Sequence, residues 1–194
     1  SFNCADSNNL VSVRFATTYN NFNDPRNPTS GNFFTATTEQ FVGVNEDSPT
    51  FNRLRGTYTQ FFPVNWLKLH KGCRPKQGEV ADCPQAIGLQ VKAGTIVGEL
   101  PPYEAFCLGG SNSIRGWYNC DLAVARSFGE VTLEYRFPII SIFSGELFVD
   151  AGTDFDTQGN VPGKPGLLLN KDGSGVSVGT GVIVTTPVGP LRLE

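Results

Sequence analysis

Residues 131–139 read VTLEYRFPI, and their alternation decides the fold class. Val131, Leu133, Tyr135 and Phe137 fall on one side of an extended chain, while Thr132, Glu134 and Arg136 fall on the other. A strand places successive side chains on opposite faces, so this stretch makes one apolar and one polar, charged surface. Working outward, the same period of two recurs in about eight runs separated by turn residues. In LVSVRFATTYNN (10–21), Val11, Val13, Phe15 and Tyr19 alternate with Ser12, Arg14, Ala16 and Thr18. In RLRGTYTQFFPV (53–64), Leu54, Tyr58 and Phe62 oppose Arg53, Arg55, Thr57 and Thr59. NFFTATTEQFVGV (32–44), AIGLQVKAGTIVG (86–98), GELFVDAGTDF (145–155) and GVSVGTGVIVTTP (175–187) continue the series, and GPLRLE (189–194) begins a further run.

Composition agrees with an all-β unit. The 194 residues hold 22 Gly and 15 Phe, no Met and one His, with 39% hydrophobic and 17% charged residues. No stretch holds a helical period, and no apolar run approaches the roughly 18–20 residues of a membrane helix. That does not exclude the membrane, since a barrel crosses with strands of about 9–11 alternating residues and keeps a low mean hydropathy. A formal net charge of −3 offers no basic face for nucleic acid.

A soluble sandwich and a membrane barrel share this alternation. The runs are long for a sandwich, and Tyr19, Phe62, Trp66 and Phe137 fall near run ends, as interfacial aromatic girdles do. Glu134, Arg136, Asp150, Arg53, Arg55 and Lys92 would be a solvated face in a sandwich and a wet lumen lining in a barrel.

Cysteine spacing gives two local pairs, Cys73 with Cys83 and Cys107 with Cys120, and leaves Cys4 over. These read as loop disulfides of an oxidising compartment, with unpaired buried thiols as the alternative. No C-x-x-C is present and His70 is the sole imidazole, so no metal site is expected. Catalysis is not expected either. The one G-x-S-x-G, GVSVG at 175–179, falls inside an alternating strand run without the strand-to-helix turn of a nucleophile elbow, and His70, read as a solvated loop residue, offers no base to a nucleophile. The glycines of GGSNSIRG (109–116) lack the G-K-S/T and following helix that a phosphate loop needs, so no cofactor is expected.

PPYEAFCLGGSNSIRGW (101–117) resembles the signature loop of the outer-membrane assembly and translocation superfamily, which includes BamA-type insertases, two-partner-secretion transporters and the chloroplast Toc channel. NDPRNPTSG (23–31) resembles that family's periplasmic turn, VTLEYRFPI and LFVDAGTDF its strands after the loop, and TPVGPLRLE (186–194) its segment near the C-terminus. The motifs stand in the family's order over most of the chain, with wording closest to the cyanobacterial and plastid branch.

The resemblance implies a transmembrane antiparallel β-barrel of roughly sixteen strands, of which residues 1–194 are about half. They would be its C-terminal portion, with the POTRA domains, early strands and last strand outside. A complete eight-stranded barrel fits poorly, because its own side chains fill its lumen and leave no room for an inward-folded loop. By the same resemblance, Ile114, Arg115, Gly116 and Trp117 form the tip of that loop. Arg115 would pair with Glu134, Asp150 or both, Gly109, Gly110 and Gly116 would permit the tight path, Trp117 would pack on the wall, and a Cys107–Cys120 disulfide would tighten the neck. The implied activity is insertion of β-barrel proteins into an outer membrane or chloroplast outer envelope. Its partners would be unfolded clients, membrane lipids and accessory subunits. The alternatives are a polypeptide-translocating channel and a passive porin.

Overall fold

The computed structural model describes residues 9–44, 48–68, 71–73, 83–140, 142–163, 171–186 and 189–193. Cys4 and His70 lie outside them. The alternating runs become β1 (Leu10–Asn20), β2 (Gly31–Gly43), β3 (Phe51–Val64), β4 (Gln85–Gly98), β7 (Ser127–Ile140), β8 (Phe143–Thr153), β9 (Ser174–Thr186) and β10 (Gly189–Leu193). Between β4 and β7 the chain makes two short strands, β5 (Phe106–Leu108) and β6 (Ala123–Ala125). The long strands form one antiparallel sheet in the order β1-β2-β3-β4-β7-β8-β9-β10, which does not close on itself.

The register sorts the faces. Tyr19 stands opposite Phe34, Phe34 opposite Tyr58, Tyr58 opposite Val91, Val91 opposite Val131 and Val131 opposite Ala151, giving one continuous apolar surface. On it Val13, Phe15, Leu133, Val149 and Val178 are exposed, an area far beyond the scattered apolar residues of a water-facing surface. Tyr19, Phe62 and Trp66 gather at the end of the sheet away from the β4–β7 connection. There Trp66 packs on Tyr135 with ring centroids 5.5 Å apart, and Tyr135 on Phe137 at 5.4 Å.

The opposite face carries the charges and is covered by the β4–β7 connection. Alternation shows no strand in this connection, yet β5 and β6 pair Cys107 with Val124 and give it a two-stranded neck. Phe51 and Ile96 of the wall, Leu100, Phe106, Leu108, Ile114 and Leu122 of the connection, and Val161 of the β8–β9 loop form one buried cluster beneath it. The loop is therefore seated by apolar burial as well as by charge.

Candidate functional site: the seated loop

The loop tip is built by turns that need glycine. Gly109, Gly110 and Gly116 have φ of 110°, 96° and 87°, the left-handed region where a Cβ is strained. Gly110 N–H donates to the Trp117 carbonyl at 2.9 Å, closing the tip, and the Cys107–Cys120 disulfide joins its base with the Cα atoms 4.4 Å apart. The Ser113 hydroxyl accepts from Gly109 N–H at 3.0 Å and donates to the Glu130 carboxylate. Lys92 donates to the Asn112 carbonyl at 2.7 Å and stands 3.6 Å from Glu130.

At the tip, Arg115 lies across the inner face of β8. Its Nε donates to Asp150 Oδ2 at 2.7 Å and its Nη2 to Oδ1 at 2.8 Å, while its backbone N–H also reaches Oδ2 at 3.1 Å. The guanidinium carbon sits 3.4 Å above the centroid of the Phe148 ring, and Nη1 is 3.6 Å from Glu146 Oε1. Asp150 and Glu146 are fully buried and Arg115 is 8% exposed, so a planar fork, an aromatic stack and a second carboxylate meet away from bulk water.

Of the two carboxylates named from sequence, Asp150 takes the fork. Glu134 is engaged elsewhere: it pairs with Arg136, two residues along its own face of β7, and lies 3.5 Å from Arg192 Nη1. The register explains the division, since Glu134 stands opposite Phe148 rather than opposite Asp150. Glu146 and Phe148 share a face with Asp150 by simple alternation, a signal the sequence carries. Their contact with a loop arginine depends on the height at which the tip lands, which alternation does not carry.

The wall facing the tip is bare. Gly152 of β8 stands opposite Gly175 of β9. A Cβ at Gly152 would lie 2.8 Å from Ile114 Cδ1, and one at Gly175 would lie 2.8 Å from Leu122 Cδ1 and 3.0 Å from Trp117 Cζ2. Further along β9, a Cβ at Gly179 would lie 2.3 Å from Phe148 Cζ and one at Gly181 2.9 Å from Glu146 Oε1. Ile114 and Trp117 thus rest almost on backbone, and Phe148 and Glu146 have room to lie flat.

At the other end of the sheet a disulfide joins Cys73 and Cys83. The buried Gln85 side chain sits beside it, its Oε1 accepting from Tyr135 Oη at 2.6 Å and from Leu67 N–H at 3.0 Å. Among the described residues, no group of three or more His, Cys, Asp or Glu side chains could hold a metal.

The Omp85 superfamily domain matches residues 1–194. Outer envelope protein 80, chloroplastic, from Arabidopsis thaliana is 40% identical over 111 residues, covering 57% of this chain and 15% of that protein. Protein TOC75-3, chloroplastic, from the same plant is 33% identical over 144 residues, covering 74% of this chain and 16% of that protein. The chain thus spans about a sixth of the length of these relatives. Among solved structures, the BamA of Haemophilus ducreyi lacking POTRA domains 1–3 superposes with a TM-score of 0.69 at 18% identity, over 93% of this chain and 37% of that one. The sheet is accordingly a portion of a transmembrane β-barrel, its apolar face turned to lipid and its charged face to the lumen. The chain belongs to the Omp85 superfamily.

Proposed function

We propose that these residues form the later part of the barrel of an outer-membrane assembly factor, one that inserts β-barrel proteins into an outer membrane or outer envelope. The observation that carries the reading is the seat of Arg115 on Asp150, which fixes a long loop against the lumen wall. Such a loop gives a wide pore an ordered interior. The chemistry required is not covalent: an exposed strand edge offers unpaired N–H and C=O groups on which an incoming strand can form. The clients are unfolded outer-membrane proteins, with bilayer lipid and accessory subunits as further partners. The 40% identity to outer envelope protein 80, chloroplastic, supports an outer envelope as the membrane concerned.

A second reading, a polypeptide-translocating channel, is favoured by the longer match to TOC75-3, which covers 74% of this chain. The full-length protein reconstituted in lipid vesicles tests both. Presented with a urea-unfolded barrel protein, an assembly factor speeds its conversion to a protease-resistant, membrane-embedded form. A translocation channel instead delivers an unfolded soluble polypeptide to the vesicle interior. Small-solute flux without either activity identifies a porin and overturns both.

A further inference from the structure

Glu146 has a position that the seating of the loop does not by itself require. It is fully buried on the inner face of β8, and its two oxygens face different guanidinium groups. Oε1 lies 3.6 Å from Arg115 Nη1 on the loop, and Oε2 lies 3.7 Å from Arg192 Nη1 on β10. β10 is not a neighbour of β8, since β9 runs between them. Arg192 reaches across because the residue opposite Glu146 on β9 is Gly181, where a Cβ would lie 2.9 Å from Glu146 Oε1 and 3.0 Å from the Leu193 carbonyl oxygen. A side chain at that point would block the path.

We infer that Glu146 is a positioning residue that couples the seating of the loop tip to the attachment of β10. Each seated element shields the buried carboxylate from water, and in that drier site its attraction to the arginine of the other element is stronger. When the tip lifts, the network around Glu146 loses Arg115, and its contact with Arg192, whose side chain is 35% exposed and also lies 3.5 Å from Glu134, is left more open to water. The loop and β10 then loosen together, although one rests on the inner wall of β8 and β9 and the other pairs along the far edge of β9. This coupling holds whether the barrel inserts clients or translocates them.

The test is hydrogen exchange on the full-length protein in lipid nanodiscs, following amides of the tip (109–122) and of β10. Arg115→Ala is expected to speed exchange in β10 about tenfold, and Arg192→Ala to speed exchange in the tip by a similar factor, because coupling is reciprocal. With Glu146→Gln in place, neither arginine change is expected to move the distant element further, while Glu146→Asp keeps part of the coupling. The inference is overturned if Arg115→Ala leaves β10 exchange unchanged, or if its effect is equally large with Glu146→Gln. Should Glu146→Gln fail to fold, reciprocity between the two arginine variants decides the matter alone, and an effect in one direction only overturns it.

Discussion

Arg115 and Asp150 meet edge to edge, with Nε on Oδ2 at 2.7 Å and Nη2 on Oδ1 at 2.8 Å, so that charge and shape are matched at once. Arg115→Lys is expected to keep the charge but lose the fork and the stack on Phe148, at a cost of about 1.5–3 kcal/mol. Arg115→Ala leaves Asp150 buried without its cation and is expected to cost about 3–5 kcal/mol. Denaturant midpoints of the lipid-reconstituted protein, with protease cleavage inside 109–122 as a local readout, rank the two.

The bare wall makes a prediction about size. Gly175→Ala places a methyl against Leu122 and Trp117, and is expected to cost about 1–3 kcal/mol and expose the tip to protease. Gly56→Ala is the control, since a Cβ there meets nothing within 4 Å. It should leave both stability and cleavage near wild type. Equal behaviour of the two variants would contradict close packing of the tip on β9.

Closing the loop neck lowers the entropy of the unseated state. The Cys107–Cys120 bond spans 13 residues, and a loop of that length corresponds to about 3 kcal/mol in the chain-entropy account. Replacing both cysteines by serine, or reducing the bond, is expected to accelerate tip cleavage while Arg115 continues to hold Asp150. The second point is checked by adding Arg115→Ala, which should accelerate cleavage further.

The outward face is tested by Leu133→Arg. Leu133 is exposed in the middle of β7, and an arginine there meets hydrocarbon at an expected cost of about 2–4 kcal/mol near the bilayer centre. On a water-facing sheet the same change would stay within about 0.5 kcal/mol. Denaturation in lipid vesicles separates the two.

Much of this was legible in the sequence because a barrel wall writes its two environments at period two. Leu133 against Glu134, or Val149 against Asp150, assigns a face without any knowledge of neighbours. Asp150 and the tip could be named in advance, since both sit in ordered motifs. Glu146, Phe148 and Arg192 share the inward face just as plainly, yet their meeting depends on register across three strands and on the height of the loop. Those quantities come from ladder pairings such as Glu146 with Gly181, which are long-range properties of the fold. The hairpin of β5 and β6 escaped detection for the opposite reason: three residues per strand are too few for alternation to show.

The glycines of β9 give the lumen wall the character of a casting mould. A surface of side chains can accommodate an altered guest by turning rotamers, but a surface of backbone has none to turn. Any misfit of Trp117 or Phe148 must then be absorbed by displacing β9 itself, and its ladders to β8 and β10 oppose that together. The rigidity of the sheet is in this way lent to the loop. A segment of turns and single hydrogen bonds acquires the shape memory of the barrel it rests in.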